Sequence, residues 1–330
     1  MSRETVLKLL EEHKDEFVSG EKISEALGLT RAAVWKCIDA LRKEGYEIES
    51  RTRTGYRLVA RPDRIDEKAL SAAVHTRVVG REVRWFETIG STNQYAKQAA
   101  LEGAGNGLVV VAEEQTAGRG RCGRSFQSPP GKGLYLTALL MPDAAPAEMV
   151  PVTAAAAVAV CNAVERICGV RPGIKWTNDL VIGGKKLCGI LTEMSIEGES
   201  GRLQSVVVGI GINVNHAAEN FEGEVADMAT SLRLELQQKV DRTALAAALI
   251  EELDRLYSRI GEGFAGLLED YRRDCITLGK QVRIVGSGAE RTARAVDIDD
   301  SFGLIVRYED GREETVRSGE VSVRGMYGYV

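Results

Sequence analysis

The sequence predicts an α+β chain of several domains, and three observations support this class. The chain has 330 residues, which is enough for two or three domains of ordinary size. Its apolar pattern changes twice, from helical spacing to mixed strands and helices and then to short alternating strands. Hydrophobic residues are 44% and charged residues 28% of the chain, a balance typical of globular proteins. We place the domains at 1–63, 64–275 and 276–330.

The first segment reads as three helices and a hairpin. The stretch "SRETVLKLLEEH" predicts one helix, and "GEKISEALGL" predicts a second that ends at Gly28. Thr30 is suited to cap a third helix that stops at Gly45. The alternation in "YEIESRTRTGYRLV" then predicts a hairpin that turns near Gly55. This order is the plan of a winged helix-turn-helix, a family that "LGLTRAAVWKCIDALRKEGY" resembles.

Positive charge gathers in the third helix and the hairpin. The whole chain has a formal net charge of -5, yet residues 30–58 hold seven Lys/Arg against four Asp/Glu. Because a recognition helix and a wing meet phosphates, this distribution predicts DNA binding. The residues that we expect to contact DNA are Thr30, Arg31, Lys36, Arg51 and Arg53. A small helical module that binds protein, or nothing, is the alternative.

The stretch "VARPDRIDE" then reads as a linker, with Pro62 breaking the strand. Beyond it, "REVRWFETI", "NGLVVVAEE", "GLYLTALLMP" and "QSVVVGIGINVN" predict strands, while "VPVTAAAAVAVCNAVERICG" and "DRTALAAALIEELDRLYSRI" predict helices. The last segment consists of short alternating strands, with "YEDGRE" as a hairpin signal, and predicts a small β-barrel.

Several classes of protein are disfavoured. No apolar run reaches the roughly 18 residues that a membrane span needs, so we expect a cytoplasmic protein. The six cysteines contain no C-x-x-C pair, which argues against a zinc site or a disulfide framework. The three histidines, at 13, 75 and 216, look incidental.

The stretch "GRGRCGRSF", residues 118–126, carries three glycines and three arginines. The glycine spacing fits a dinucleotide fingerprint, but the prolines of "SPP" exclude the helix that such a site requires. A Walker loop is also absent. The remaining interpretation is a mobile loop that lies against an anionic ligand, with a solvated basic loop as the alternative.

Two further motifs narrow the function. In "IKWTNDLVIGGKKLCGILTE", a two-residue turn at Gly183 and Gly184 places two lysines at the start of a returning strand. In "ETIGSTNQYAK", hydroxyls and an amide stand at a strand-to-helix junction, where they can cap the helix or bind a polar ligand. Together with "EEQTAGRGRCGR" and "GIGINVN", in this order, these motifs resemble the biotin-protein ligases.

The resemblance covers almost the whole chain and is closest to the bifunctional ligases that also repress the biotin operon. It implies a central domain similar to class II aminoacyl-tRNA synthetases and a C-terminal SH3-like β-barrel. It implies contacts to the biotin ureido ring and carboxylate from Ser91, Thr92, Asn93, Gln115, Gly118, Arg119, Gly120, Arg121 and Lys186. It implies contacts to ATP or adenylate from Arg121, Arg124, Phe126, Asn178, Asp179 and Asn213.

The reaction that the resemblance implies joins biotin and ATP into biotinyl-5'-adenylate and then transfers biotin to a lysine of the biotin carboxyl carrier protein of acetyl-CoA carboxylase. Lys186 and Arg121 are the expected catalytic residues, and Mg²⁺ is the expected metal ion, with no dedicated protein metal site. The other expected partners are biotin operator DNA and a second copy of the chain when adenylate is bound.

The sequence departs from the family pattern at three positions, namely Cys122 in place of a basic residue, Phe126 in place of tryptophan and Thr177 in place of proline in "KWPND". None of these changes removes a group that the chemistry requires. Two other functions stay open at this stage: a lipoate-type ligase, and a DNA-binding repressor that senses its ligand without catalysis.

Overall fold

The structure is a computed structural model that describes residues 2–13, 15–43, 45–60, 63–262, 264, 266–285, 290–317 and 322–325. The chain divides into two compact units, Met1–Arg64 and Ile65–Val330. Pro62, the predicted strand breaker, and the side chain of Cys122 lie outside the described residues. The three domain boundaries drawn from the sequence stay predictions.

The first unit has the predicted order of three helices and a hairpin, namely α1 (Ser2–Glu12), α2 (Gly20–Leu27), α3 (Arg31–Lys43), β1 (Glu47–Arg51) and β2 (Gly55–Ala60). Gly28 ends α2 in a left-handed conformation. Thr30 caps α3, because its Oγ1 accepts the backbone N–H of Ala33 at 3.2 Å. A separate apolar core, which includes Val34, Ile38 and Leu41 of α3, holds these elements together.

The second unit is built on a seven-stranded mixed sheet. Its elements up to the last helix are α4 (Glu67–Ala73), β3 (Val83–Ile89), α5 (Thr92–Leu101), β4 (Val109–Gln115), β5 (Gly133–Leu140), α6 (Val152–Cys168), β6 (Gly173–Lys175), β7 (Asp179–Ile182), β8 (Lys185–Ile196), β9 (Leu203–Asn213), α7 (Glu224–Met228), α8 (Leu232–Leu236), α9 (Arg242–Ser258) and α10 (Leu267–Asp274). The strand order is β3-β4-β5-β9-β8-β7-β6, and only β3 and β4 run parallel among these pairs.

Both faces of the sheet are covered, which explains why β5 is buried at all eight positions. Side chains from α6 and α9 form the main core with one face. Side chains of α5, such as Ala96 and Ala99, form a smaller core on the other face. The sheet therefore presents its functional residues at strand ends and in the loops that leave them.

The expectation that no apolar run reaches membrane-spanning length is wrong for one stretch. Pro146–Cys168 is long and apolar enough to cross a membrane by length and composition. Its apolar character has another cause here, because α6 lies buried in the main core, where nearly all of its alanines and valines are covered.

The C-terminal strands are β10 (Gln281–Val285), β11 (Arg291–Ile298), β12 (Leu304–Arg307), β13 (Glu313–Val316) and β14 (Ser322–Gly325). They form one antiparallel sheet in the order β13-β12-β11-β10-β14, which confirms the prediction of short strands in this segment, whereas the small β-barrel stays a prediction. Their buried side chains join the main core of the second unit. Trp176 also donates its Nε1–H to the carbonyl of Phe302 at 3.0 Å.

A buried ion pair links several of these elements. Arg242, at the start of α9, donates to Glu113 of β4 at 2.9 Å, and both side chains are almost fully buried. Arg242 also donates to the carbonyl of Gly133 at 2.9 Å. The carboxylate of Glu113 accepts the backbone N–H groups of Ile65 and Gly131 as well. One pair therefore satisfies three backbone groups, those of Ile65, Gly131 and Gly133.

Replacing Arg242 with methionine is expected to lower the free energy of unfolding by about 3–5 kcal/mol, because Glu113 then keeps a buried charge without its cationic partner. Urea unfolding at pH 7 measures this loss. Arg312→Met is the matched control, since the Arg312 side chain is about two-thirds exposed and its carboxylate partner is 4.0 Å away. Equal, small losses in the two variants would contradict this view of the pair.

Candidate functional site

A cavity of about 740 Å³ lies in the second unit and is lined by the motifs that the sequence pointed to. It brings together residues that are far apart in sequence: the junction before α5, the glycine-arginine loop at 118–126, the β7–β8 hairpin and the end of β9. Every candidate residue for biotin, ATP or adenylate lines this cavity except Gly118.

The floor of the cavity is a hydrogen-bonded network. Thr92 donates its backbone N–H to Oε1 of Gln115 at 2.9 Å, and its hydroxyl oxygen lies 3.0 Å from the same atom. The Asn93 amide donates to the carbonyl of Leu191 and to Glu193. Burial raises the pKa of Glu193, but hydrogen bonds from Lys97 and Asn93 outweigh it and hold that pKa below its ordinary value. Ser91 occupies the N-cap position of α5 without making a side-chain cap.

The glycine-arginine loop is folded over the cavity by its own backbone. The N–H of Gly120 donates to the carbonyl of Arg124 at 2.7 Å, and the N–H of Phe126 donates to the carbonyl of Gly118 at 2.9 Å. A Cβ on Gly118 would lie 2.3 Å from the carbonyl oxygen of Phe126. The glycine at 118 is therefore required for contact within the loop, while Gly120 faces the cavity.

Arg121 reaches from the loop to the opposite wall. Its Nη1 donates to Oδ1 of Asn178 at 2.8 Å and lies 3.4 Å from Oγ1 of Thr177. The side chains of Arg119 and Arg124 line the cavity and make no hydrogen bond or ion pair with the residues that the structure describes. The loop therefore supplies one arginine side chain that is held by the protein and two that are available to an anion.

The β7–β8 hairpin places a lysine and a carboxylate side by side. The two glycines of the turn both have positive φ, as a tight two-residue turn requires. Lys186 donates to Oδ1 of Asp179 at 2.6 Å, and both side chains are partly exposed to the cavity. Lys186 is therefore oriented before an anion binds, and its ammonium group is already paired with Asp179.

At the far end of the cavity, Phe126 and Asn213 face the same space. The ring of Phe126 lies directly on Gly211, where a Cβ would come within 2.5 Å of it. The Asn213 amide makes no side-chain hydrogen bond to the described residues, although its residue is only 8% exposed. It is therefore free to bind a polar group of a ligand.

The charges that line the cavity are strongly unbalanced. Five cations, Arg119, Arg121, Arg124, Lys175 and Lys186, face it, and Asp179 is the one carboxylate among the lining residues that the structure describes. Such a surface favours a ligand with several negative charges.

The first unit carries a second candidate surface. Lys36 and Arg53 make no ion pair with the described residues, and Arg53 lies in the hairpin turn with φ of 68°. The remaining expected contacts are partly occupied, because Arg31 pairs with Glu21 at 2.9 Å and Arg51 contacts Glu49 at 3.4 Å. Two free cations thus stand near the third helix and the wing.

Comparison with known proteins finds a family model for each of three parts of the chain. Residues 85–213 match the Biotin/lipoate A/B protein ligase family, residues 2–57 match an HTH domain, and residues 277–324 match the Biotin protein ligase C terminal domain. The "Bifunctional ligase/repressor BirA" of Bacillus subtilis (strain 168) is 37% identical over 310 residues, which are 94% of this chain and 95% of that protein.

The chain belongs to the biotin protein ligase family. The bifunctional ligase/repressor of Escherichia coli (strain K12) is a further relative, 30% identical over 94% of each chain. The solved biotin protein ligase from Aquifex aeolicus, in complex with biotin and ATP, is 28% identical and has a TM-score of 0.64 over 74% of this chain and 99% of its own. The predicted fold class, with its helix-turn-helix, mixed ligase domain and C-terminal strands, is confirmed.

In this member of the biotin protein ligase family, several residues of the cavity wall were not predicted from the sequence, among them Lys175 and His216. His216 lines the cavity, is 2% exposed and stacks on Phe221 with a centroid distance of 5.2 Å. Burial lowers its pKa to about 4, and Lys132 and Arg242 contribute in the same direction. Its position directly after "GINVN" was the only signal in the sequence.

The depressed pKa of His216 predicts a pH dependence of stability. Between pH 6.5 and pH 4 the unfolded chain binds a proton at this ring that the folded chain does not, so the free energy of unfolding falls as pH falls. His216→Phe keeps a ring on Phe221 and removes this effect. Urea unfolding at pH 7 and pH 4.5 should show an advantage for the variant that grows by about 2–3 kcal/mol on acidification. A constant difference would show that the ring titrates normally.

Proposed function

We propose that this chain is an ATP-dependent biotin–protein ligase that forms biotinyl-5'-adenylate, transfers biotin to a lysine of the biotin carboxyl carrier protein, and represses transcription of the biotin operon. The observation that carries the ligase function is the cavity with five cations and one carboxylate. Two negatively charged substrates, a carboxylate and a nucleoside triphosphate, must meet in it.

In the first step, a carboxylate oxygen of biotin attacks the α-phosphorus of ATP. An acyl–phosphate bond forms, the bond to the β-phosphate breaks, and pyrophosphate leaves with its electron pair. Arg121, Arg124 and Lys186 are placed to offset the repulsion between the two anions and the charge that develops on phosphorus. In the second step, the neutral amine of the acceptor lysine attacks the acyl carbon, AMP leaves, and one proton is lost.

The internal pairs of the cavity prepare this chemistry. Lys186 is held by Asp179, and Arg121 is held by Asn178, so both cations are oriented before a ligand binds. Orientation before binding lowers the entropic cost of forming new contacts. The folded loop above them excludes water, which protects an acyl phosphate from hydrolysis.

Most of the ligands of Mg²⁺ in this cavity would come from ATP, and fewer would come from the protein. Mg²⁺ is commonly held by one or two carboxylates together with substrate phosphates and water. Asp179, with the neighbouring amide of Asn178, would supply the protein oxygens. The ion would supply neutralisation of phosphate charge.

A repressor function is supported by the first unit. Only Lys36 and Arg53, among the five expected contacts, combine a cationic side chain with no internal ion pair, so one copy makes few phosphate contacts. Useful affinity then requires two copies on a two-fold operator. We infer that bound adenylate promotes this homodimer and so acts as corepressor, in a protein that works in the cytoplasm.

The direct test of the ligase is biotin-dependent exchange between ATP and labelled pyrophosphate. Lipoate and octanoate serve as control acids. Exchange with lipoate alone would favour a lipoate-type ligase, and binding of biotin without any exchange would favour a repressor that senses its ligand without catalysis.

Lys186→Ala should slow adenylation at least about tenfold, because a charge-assisted hydrogen bond to the carboxylate or phosphate contributes about 1.5–3 kcal/mol. Lys185→Ala is the matched control, since Lys185 is the exposed neighbour in the same turn and does not line the cavity. Single-turnover formation of adenylate measures both. Normal rates in the first variant would remove Lys186 from the mechanism.

Adenylate should raise both self-association and affinity for DNA from the control region of the biotin-synthesis operon. Lys36→Ala should weaken that binding and reduce the slope of log affinity against log salt by about 1. Sedimentation and DNA titration, with and without adenylate, measure these effects, with Lys8→Ala as the control on α1. A monomer that binds DNA equally well in both states would contradict the switch.

A further inference from the structure

We propose that Thr137 is a positioning residue for biotin: its buried hydroxyl fixes the Asn93 amide and the Thr92 hydroxyl in the floor of the cavity. The inference rests on the proposed ligase function and deepens it. Thr137 lies in the middle of β5, is fully buried and is not among the residues that line the cavity. It therefore acts through its neighbours.

The geometry gives the hydroxyl two polar partners. Oγ1 of Thr137 lies 2.7 Å from Oδ1 of Asn93 and 2.8 Å from Oγ1 of Thr92. The hydroxyl has one proton, and an amide oxygen can only accept. The proton therefore goes to Asn93, and the Thr137 oxygen accepts the one hydroxyl proton of Thr92.

This donor determines which way the Asn93 amide is turned. The Nδ2 group donates to the carbonyl of Leu191 at 3.1 Å and to Glu193 at 3.0 Å, so only Oδ1 remains to face Thr137. The amide also has little room to move. Gly209, the register partner of Thr137 on β9, would place a Cβ 2.0 Å from Oδ1 of Asn93.

Thr92 in turn orients Gln115, which lines the cavity. Oε1 of Gln115 accepts the backbone N–H of Thr92 at 2.9 Å, so the amide nitrogen of Gln115 must point the other way. One of its protons goes to Oγ of Ser128 at 2.9 Å. The second proton is left for a ligand. A cyclic urea has a carbonyl oxygen that accepts hydrogen bonds and N–H groups that donate them. It is the class of head group that these oriented side chains can bind selectively.

Thr137→Val keeps the shape of the side chain and removes its proton. The buried Oδ1 of Asn93 then loses its donor, and the network loses its single orientation. The cationic residues around the phosphates do not contact Thr137, so the chemical step should be little affected. The expected result is a KM for biotin raised at least about tenfold, with kcat and the KM for ATP within about twofold of the unaltered protein.

The experiment measures biotin-dependent ATP–pyrophosphate exchange and, separately, biotin binding by calorimetry on the full-length chain. Thr137→Ser keeps the proton and should restore the KM for biotin to within about threefold. Thr153→Val is the control, because it breaks another threonine–threonine hydrogen bond, 2.9 Å long, at a residue that does not line the cavity. It should leave the KM for biotin unchanged.

The affinity for an analogue of biotin distinguishes a loss of hydrogen-bond orientation from a general loss of binding. 2-Iminobiotin carries nitrogen where the ring of biotin carries oxygen, so an oriented set of donors should reject it. Thr137→Val should narrow the affinity difference between the two ligands at least about threefold.

A KM and an affinity for biotin within about twofold of the unaltered protein in Thr137→Val would overturn the proposal, and so would a serine variant as impaired as the valine variant. Equal weakening of both ligands would overturn it too. Calorimetry gives these answers even if the chain shows no exchange, which would contradict the ligase function alone.

Discussion

The buried pair of Glu113 and Arg242 is the constraint on which the architecture around the cavity depends. Buried charges are stabilised when their lone pairs and protons make hydrogen bonds. Here the carboxylate accepts the N–H groups of Ile65 and Gly131, and the guanidinium donates to the carbonyl of Gly133. Ile65 is where the second unit begins, and Gly131 follows the glycine-arginine loop. The same two side chains therefore fix the base of the loop, the start of β5 and the first helix turn of α9.

Above this base, the protein satisfies most of its own functional groups before any ligand arrives. Arg121 and Lys186 have partners across the cavity, and Asn93 uses its whole amide within the floor. Such internal bonds hold side chains in one geometry, so that substrate binding exchanges partners without ordering the site anew. The side chains of Arg124 and Asn213 are different, because they make no hydrogen bond to the described residues, and they offer new contacts to the ligand.

The parts of the molecule that the sequence could predict are those set by local chemistry. Thr30 caps its helix because a hydroxyl at that position reaches the N–H of Ala33, and Gly183 with Gly184 turns because both positions require positive φ. The fold class followed from the pattern of helices and strands, and the expected cavity residues followed from the resemblance to biotin-protein ligases. Contacts between distant segments were beyond such reasoning. Asn93 is held by Thr137, which lies 44 residues further along the chain. The apolar length of the stretch that contains α6 was underestimated, and only its packing shows that it is a core helix.

The internal pairing of each cation indicates, in both units, whether its charge is available to an anion. A guanidinium that is paired or stacked within the protein is held in place, while an unpaired one has a free charge for an anion. In the wing, Arg51 and Arg57 lie on the ring of Phe17 at 4.6 and 4.8 Å and share Glu49, which orients them but lowers their net attraction for phosphate. In the cavity, the cations outnumber the single carboxylate five to one. The cavity can therefore hold a polyanion with one copy of the chain, whereas the proposed repressor function needs a second copy on the same DNA to add phosphate contacts to those of one wing. Under that proposal, a ligand that brings two copies together turns an enzyme intermediate into a signal for DNA binding.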